Sequence, residues 1–316
     1  MPRSVTLRLG PSPHGAPLDR GSILFVGTAT VVAQLGPFTI LTDPNFLHAG
    51  DHAHLGYGLT SPRLTSPALE LDALPPLDAC VLSHLHGDHW DEVAEAGLRR
   101  DLPVLTTARA ARTLRRRGFE AAQGLSTWDD VVLRRGAAWL RITAVPARHG
   151  PPLFHALLPP VMGTVWELGH GTGGARFRMY VSGDTLLHDD LRDIPRRYPR
   201  LDLGLFHLGG TRVLGARVTL DARQGVEAVR LVAPDVAIPI HFDDYPVFSS
   251  PLSDFARAVA EAGLAHRVRF LARGERHPLT FRGMPRAAPA PGEPVSAVRP
   301  DRGPAGAESP GADPGR

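Results

Sequence analysis

The chain has 316 residues, of which 43% are hydrophobic, and this is enough to form a core in one large domain or two small ones. Its single cysteine, Cys80, excludes an internal disulfide and a cysteine-rich metal cluster, and the absence of lysine excludes Schiff-base lysines and the lysine of phosphate-binding loops. The formal net charge of +3, without a long basic block, argues against nucleic acid as a partner.

The two ends of the chain differ from its middle. The N-terminal stretch lacks the apolar segment of a secretory signal, and no apolar run approaches the ~18 residues of a membrane span. Residues 284–316 are rich in proline, glycine and alanine and contain hardly any large apolar side chain. We therefore predict an N-terminal extension over residues 1–20, a folded domain over 21–283 and a disordered tail over 284–316. The expected location is cytoplasmic, without a transmembrane segment, and arginine without lysine indicates a GC-rich bacterial genome.

Strands and helices alternate through the predicted domain. Residues 22–34 and 38–42 are rich in β-forming residues and are joined through Gly36-Pro37, which predicts a hairpin. Residues 79–83 form a short apolar run, typical of a strand buried on both faces. Further along the chain, the composition predicts helices over 90–100, 108–117, 224–232 and 253–262, and strands over 139–145, 163–168, 176–181, 201–206 and 235–240.

A weak internal repeat relates the two halves of this pattern. A hairpin, an acidic strand end, and then Leu-Asp followed by a buried strand occur first around residues 40–43 and 77–80. The same order occurs again around residues 180–184 and 201–204. Two similar halves packed sheet to sheet, with helices outside, would form a four-layer α/β/β/α sandwich.

The most informative motif is the cluster His84-Leu-His86-Gly-Asp88-His89. Its imidazoles and its carboxylate are ligand types that zinc, iron and manganese accept. Residues two apart in an extended segment point the same way, so His84 and His86 can bind one ion. If Gly87 allows a sharp bend, Asp88 and His89 can face a second ion.

Three further ligand-type residues each follow an apolar run. His149 is the candidate for the remaining ligand of the first ion, and His241 is the candidate for the second ion. Asp184 offers two carboxylate oxygens and is suited to bridge both ions. Together with the cluster, these residues predict a site for two metal ions with open coordination positions, which is typical of a hydrolase.

Other polar residues are candidates for supporting roles. Asp43 ends a strand in the repeat position that we match with Asp184, and we expect it either to orient a ligand histidine or to be a plain turn residue. His207, Asp244 and Tyr245 are expected near the mouth of the pocket, where they would bind substrate. The histidines of the loop after Pro44 are expected to shape the entrance.

The segments 83–89, 145–149, 183–184 and 239–241 together resemble the metallo-β-lactamase superfamily. This resemblance implies the α/β/β/α sandwich and a dinuclear site, with one ion on His84, His86 and His149. The other ion would be held by Asp88, His89 and His241, and Asp184 would bridge.

One branch of the superfamily is most similar. Residues 27–30, 41–44 and 145–149 resemble the branch of N-acylphosphatidylethanolamine phospholipase D-like phosphodiesterases and lactonase-like hydrolases. The position of Cys80 before the motif does not fit the cysteine-ligated antibiotic-degrading enzymes. His86 stands where the oxygen-reducing flavodiiron branch has glutamate.

The predicted activity is metal-dependent hydrolysis by a hydroxide that bridges two divalent ions and is oriented by Asp88. Zn²⁺ is the first expectation, and Mn²⁺ and Fe²⁺ are accepted by the same ligands. The predicted substrate is a small phosphodiester, and the alternative is a lactone or another carboxylic ester. A metal-binding or sensing protein with little turnover is the alternative from another class. Pairing of exposed sheet edges would give a homo-oligomer.

Overall fold

The computed structural model describes residues 2–11, 18–56, 58–151, 158–213 and 215–283. Its strands are β1 (Ser4–Arg8), β2 (Arg20–Gly27), β3 (Thr30–Leu35), β4 (Phe38–Thr42), β5 (His52–Gly56), β6 (Leu59–Pro62), β7 (Ala79–Val81), β8 (Val104–Thr107), β9 (Gln123–Leu125), β10 (Asp130–Arg135), β11 (Ala138–Val145), β12 (Gly163–His170), β13 (Phe177–Val181), β14 (Leu203–His207), β15 (Arg212–Val213), β16 (Ala216–Arg217), β17 (Val236–Ile240) and β18 (Arg276–Thr280). Its α-helices are α1 (Glu92–Gly97), α2 (Ala108–Arg116), α3 (Asp193–Arg197), α4 (Ala222–Val232) and α5 (Leu252–Glu261). None of the helices in the described segments is both long and apolar enough to cross a bilayer.

Two seven-stranded sheets form the centre of the fold. Sheet I has the strand order β1-β10-β11-β12-β13-β14-β17, and sheet II has the order β18-β2-β3-β4-β7-β8-β9. In sheet I the pairing is antiparallel from β10 to β13 and parallel from β13 through β14 to β17. In sheet II it is antiparallel from β18 to β4 and parallel from β4 through β7 and β8 to β9. The loops after parallel neighbours therefore leave each sheet at one edge.

The internal repeat is present in this topology and in its hydrogen bonds. Asp78, before β7, accepts a hydrogen bond from the Thr39 N–H at 2.9 Å. Asp202, before β14, accepts the equivalent bond from the Arg178 N–H at 2.8 Å. Each Leu-Asp pair therefore fastens the start of one parallel strand to its neighbour.

Alternation along the strands of sheet II separates its two faces. Ile23 and Phe25 of β2 pack in the core between the sheets, whereas Leu24 and Val26 pack in a second core with residues of α1 and α2. Cys80 is buried in that second core, and burial raises its thiol pKa. Residues of α4 and α5 complete the core on the far side of sheet I. The protein is thus an α/β/β/α sandwich, as the sequence predicts.

Several elements differ from the sequence prediction. The extension predicted over residues 1–20 contains β1, which pairs in parallel with β10, so part of it belongs to sheet I. The β-rich stretch 22–34 is two strands, separated by a turn in which Thr28 has a φ of +49°. The strands β8, β9 and β10 show too little alternation of apolar and polar residues to be predicted from the sequence. The tail predicted over 284–316 lies outside the described residues.

Candidate metal centre

The predicted ligands all follow strands at one edge of the sandwich. The segment 84–89 follows β7, His149 follows β11, Asp184 follows β13 and His241 follows β17. Apolar strands bring these polar residues to the sheet edge and bury them there. The structure brings together all the side chains that the sequence proposes as ligands.

Three histidines form the first group, as predicted from their spacing and order. The His84 Nε2 atom lies 2.9 Å from His86 Nδ1. The His149 ring lies 4.8 Å from the His84 ring and 5.2 Å from the His86 ring, measured between centroids. One ligand atom from each of the three lies within 4.8 Å of the others, so the group could hold a metal ion.

Asp88, His89 and His241 form the second group. Asp88 Oδ2 lies 3.4 Å from His241 Nε2 and 3.9 Å from His89 Nε2. Asp184 stands between the two groups, because its Oδ2 atom lies 3.3 Å from His89 Nε2 and 3.9 Å from His84 Nε2. This is the position that a bridging carboxylate would take.

The unpaired atoms of this site fit metal ions. Among the described residues, four buried atoms of the site have no hydrogen-bond partner: Asp88 Oδ1, His89 Nε2, Asp184 Oδ1 and His241 Nε2. Burial of a polar atom without a partner costs about 1–3 kcal/mol, and more for a charged group. Nitrogen and carboxylate oxygen are the donor types for divalent zinc, manganese or iron, so cations would satisfy these atoms.

The three histidines of the first group are neutral imidazoles at neutral pH. Burial is the main cause that lowers the pKa of His84 and of His149. Burial is also the main cause that lowers the pKa of His86, to about 4. At neutral pH each of the three rings can therefore offer a nitrogen lone pair.

The second group carries charge. Burial alone would raise the pKa of Asp88, but the charges of His89 and His241 hold it at about 2. Burial lowers the pKa values of His89 and His241, but Asp184 and Asp88 outweigh it and raise both above their ordinary value. The ionised carboxylates therefore favour the protonated form of both imidazoles, and a divalent cation could take the place of those protons.

Backbone carbonyls set the tautomers of the distal histidines. His149 Nδ1 lies 3.0 Å from the Val218 carbonyl, and His241 Nδ1 lies 3.3 Å from the Leu208 carbonyl. A carbonyl only accepts, so each Nδ1 carries the proton that is donated to it. The Nε2 atom of each ring is then left to face the site.

Asp43 lies directly behind the cluster. Its Oδ1 atom accepts hydrogen bonds from Ser83 N at 2.7 Å and from Ser83 Oγ at 2.9 Å, and it lies 3.5 Å from His89 Nδ1. Ser83 Oγ in turn lies 3.0 Å from His84 Nδ1. Asp43 thus contacts one histidine of the second group directly and one of the first group through Ser83. Ser83 opens the motif but was not among the residues predicted to support the ligands.

The strand register corrects the repeat position of Asp43. Thr42 pairs with Val81 in sheet II, and Val181 pairs with Leu205 in sheet I. Asp43 therefore corresponds to Ser182, one residue after β13, and the predicted match with Asp184 is wrong by two residues.

The structure does not place His207, Asp244 and Tyr245 at an accessible pocket wall. Their exposed fractions are 0%, 0% and 1%, and each has partners inside the protein. His207 contacts Asp43 and Ser182, Asp244 accepts from Thr28 N, and Tyr245 donates to Asn45. The expectation of direct substrate contact is corrected: strand ends and the tight loop after β17 turn these side chains inward.

Asp244 and Tyr245 belong to a buried network around Arg63, which the sequence analysis missed. Arg63 is 1% exposed, donates to the carbonyl and side-chain oxygens of Asn45, and lies 3.7 Å from Asp244. Asn45 also donates to the Gly87 carbonyl at 3.1 Å. The Thr28 N–H donates to Asp244 at 2.8 Å, and the Thr28 carbonyl accepts from the His241 N–H at 2.7 Å.

This network supports strained backbone at the site. Thr28, Asp43 and His241 have φ values of +49°, +35° and +64°, which cost energy for residues with a Cβ. Surrounding contacts must hold such conformations, and the Arg63 network contacts two of these three segments. We attribute to it the fixed position of the loop that carries His241.

The hairpin of β5 and β6 packs against the cluster. A Cβ on Gly87 would lie 2.6 Å from the backbone N and O atoms of His54, so glycine is required by this close approach. Gly87 is not among the residues with positive φ, so glycine is required here for close packing and not for the sharp bend that the sequence predicted.

A cleft of about 590 Å³ lies beside the hairpin and has His86, Leu47 and Trp90 in its wall. His52 and His54 also line this cleft, which places them near the site but not in either metal group.

Comparison with known proteins gives a consistent result. A UPF0173 metal-dependent hydrolase of Methanopyrus kandleri is 26% identical over 254 residues, which cover 80% of this chain and 97% of that protein. The crystal structure of isothiocyanate hydrolase from Delia radicum gut bacteria superposes with a TM-score of 0.69 at 19% identity, covering 82% of this chain and 99% of that chain. CmlA, a diiron β-hydroxylase from Streptomyces venezuelae, has a TM-score of 0.59 at 16% identity, covering 83% of this chain and 54% of that chain.

The two structural similarities show a shared fold. That fold supports hydrolysis in one protein and oxidation in the other, so the chemistry must be argued from the site. The sequence model described as Beta-lactamase superfamily domain matches residues 39–242, which is more than half of the chain. The chain therefore belongs to the beta-lactamase superfamily.

Proposed function

We propose that the protein is a metal-dependent hydrolase whose site holds two divalent ions, with Zn²⁺ as the first choice. The observation that carries this proposal is the convergence of unpaired buried nitrogen and carboxylate atoms on one small volume. His84, His86 and His149 would hold one ion, and Asp88, His89 and His241 the other, with Asp184 between them. The name of the Methanopyrus relative, a metal-dependent hydrolase, agrees with this activity.

When bound, the ions would supply an activated water at neutral pH and positive charge for the oxygen on which charge develops. Among the chain's own residues, Asp88 is the candidate for accepting a hydrogen bond from the attacking water. Its carboxyl has a pKa of about 2 and is ionised at neutral pH, and its Oδ1 atom has no partner in the described part of the chain. His149 and His241 are fixed by backbone carbonyls, so they present the same nitrogen throughout.

The proposed substrate is a small phosphodiester. The support is the resemblance of residues 27–30, 41–44 and 145–149 to the phosphodiesterase-like and lactonase-like branch. A lactone or carboxylic ester is the alternative from that same branch. We further propose, from the sequence alone, that the protein acts in the cytoplasm.

An activity screen on metal-defined protein tests the proposal. Apoprotein is loaded separately with Zn²⁺, Mn²⁺ and Fe²⁺ and assayed on bis(p-nitrophenyl) phosphate, a γ-lactone, p-nitrophenyl acetate and allyl isothiocyanate. The last compound is included because the isothiocyanate hydrolase shares the fold. We expect two ions per chain and hydrolysis of the phosphodiester above the other substrates.

Matched variants separate the site from unspecific effects. His86→Ala and Asp88→Ala should lose metal and activity, whereas His266→Ala, which removes an exposed histidine, should keep both. Full metal content and full turnover in both site variants would show that the proposed mechanism is wrong. Two bound ions without turnover on the panel would favour the metal-binding or sensing protein.

A further inference from the structure

His207 is a buried histidine that belongs to neither metal group of the proposed site. It ends β14, is 0% exposed, and stacks on His89 with ring centroids 5.9 Å apart and planes 12° apart. Its Nε2 atom lies 3.4 Å from Asp43 Oδ2, on the side of the carboxylate away from Ser83. His207 belongs to the second half of the repeat. It contacts the Asp43 carboxylate, which supports the histidine cluster of the first half.

The Asp43 carboxylate favours one tautomer of His207. Ser182 Oγ accepts the His207 N–H at 2.9 Å and lies 3.2 Å from His207 Nδ1. The Ser182 hydroxyl has one proton, which it can donate to the Gly183 carbonyl at 2.9 Å or to His207 Nδ1. The Asp43 carboxylate beside Nε2 favours the tautomer with its proton on Nε2, in which the hydroxyl donates to Nδ1 and Nε2–H is donated to Asp43 Oδ2. In the other neutral tautomer, a nitrogen lone pair would face the Asp43 carboxylate.

The consequence reaches both metal groups. With Oδ2 held by His207, the Asp43 carboxylate keeps Oδ1 toward Ser83 and His89. The Ser83 hydroxyl donates its proton to Asp43, so toward His84 Nδ1 at 3.0 Å and His89 Nδ1 at 3.4 Å it can only accept. His84 Nδ1 therefore carries the proton, which leaves His84 Nε2 for an ion. His89 Nδ1, 3.5 Å from Asp43 Oδ1, is likewise held in the protonated form, which leaves His89 Nε2 for the other ion.

We propose that His207 is a positioning residue that fixes Asp43 and thereby the metal-binding tautomers of His84 and His89. This inference rests on the proposed function, because it requires that the site binds metal. Asp43, His89 and His207 also have ligand atoms within 4.8 Å of one another, which is the geometry of a third ion. One observation favours the hydrogen-bonded role: Asp43 Oδ1 already accepts two hydrogen bonds from Ser83.

Two substitutions of His207 test this role. His207→Leu removes the donor, and His207→Gln keeps an N–H near the position of Nε2. We measure Zn²⁺ affinity by competition with a chelator, Zn²⁺ stoichiometry, and the visible absorption of the Co²⁺-loaded protein. His207→Leu should bind at least one ion about 10–100-fold more weakly and show an altered Co²⁺ spectrum. His207→Gln should stay close to the wild type in both measurements.

Leu205→Val is the matched control for a loss of packing. Leu205 lies two residues earlier on β14, so its side chain faces the same side of the sheet, and it is 0% exposed. This variant should lower the melting temperature without changing Zn²⁺ affinity or the Co²⁺ spectrum.

Three results would overturn the inference alone. They are wild-type affinity and spectrum in His207→Leu, equal losses in the Gln and Leu variants, and a stoichiometry that falls from three ions to two in His207→Leu. The last result would make His207 a ligand. Wild-type protein that binds no Zn²⁺ would overturn the proposed function and this inference with it.

Discussion

The two halves of the repeat use one backbone frame with different side chains. After β4 and β7, the Asp43 carboxylate accepts the N–H of Ser83. At the ends of β13 and β14, the Ser182 hydroxyl accepts the N–H of His207 in the equivalent position. The first half therefore places the charged Asp43 carboxylate behind the histidine cluster. The second half places Ser182 and His207 at the equivalent positions, and His207 contacts that same carboxylate.

This difference shows how one frame serves two purposes. We propose that the frame orients the candidate ligand histidines in the first half. In the second half it supports Asp43, and Asp184 and His241 are the candidate ligands. Each half alone would be incomplete, because both proposed metal groups take residues from both sheets. The predictions below test this division, from the largest expected effect to the smallest.

Removal of the residue between the two groups should have the largest effect. Asp184→Ala takes away the carboxylate that lies 3.3 Å from His89 and 3.9 Å from His84. We expect hydrolysis to fall roughly 10²–10³-fold or more, the scale of losing one main electrostatic group. Turnover on the best substrate and Zn²⁺ content measure this. Unchanged turnover with two bound ions would show that Asp184 has no role between the groups.

The Arg63 network joins the two halves, so breaking it should reduce stability. Arg63→Met removes the buried cation that lies 3.7 Å from Asp244 and donates two hydrogen bonds to Asn45, and we expect a loss of about 3–5 kcal/mol of unfolding free energy. Urea unfolding measures it. Arg212→Met, at an exposed arginine, is the control and should cost less than about 0.5 kcal/mol. Equal unfolding free energies of the two variants would show that the Arg63 network does not stabilise the fold.

Substitution at equivalent positions compares the halves directly. Asp43→Asn keeps the shape but loses the charge and one acceptor, and we expect Zn²⁺ affinity to fall about 10–100-fold. Ser182→Ala should have a smaller effect, because it acts on the ligands only through His207 and Asp43. Chelator competition gives both affinities. A larger loss for Ser182→Ala than for Asp43→Asn would reverse the proposed division.

We expect proton release on metal binding to be the smallest of these effects. Asp184 and Asp88 raise the pKa values of His89 and His241 above the ordinary value, so in metal-free protein both rings stay protonated to a higher pH than a free imidazole does. Zn²⁺ should therefore release about one to two protons, and its affinity should decrease as the pH is lowered. Calorimetry in buffers of different ionisation enthalpy counts these protons. Binding at pH 7 without proton release would contradict the assigned charge states.

The sequence predicted the layered fold and the convergence of ligands for a physical reason. Short apolar runs ending in histidine or aspartate indicate buried strands with polar ends, and parallel strands end at one edge. The close spacing of His84, His86 and His89 needed no tertiary information. The hairpin at Gly36-Pro37 was predicted from its turn residues and is present.

The remaining features depend on tertiary contacts that no local pattern encodes. The inward orientation of His207 follows from the register of β13 against β14. The need for glycine at position 87 follows from the approach of a hairpin more than thirty residues earlier in the chain. Arg63 sits in a loop with no apolar periodicity, and only its burial among Asn45 and Asp244 shows its role.

Anomalous X-ray diffraction at the zinc edge, on crystals of the Zn²⁺-loaded protein, tests the central claim most directly. The account predicts two peaks per chain, one bonded to His84, His86 and His149 and the other to Asp88, His89 and His241, with Asp184 bonded to both. A single peak, a peak bonded to His207, or no peak among these side chains would contradict it.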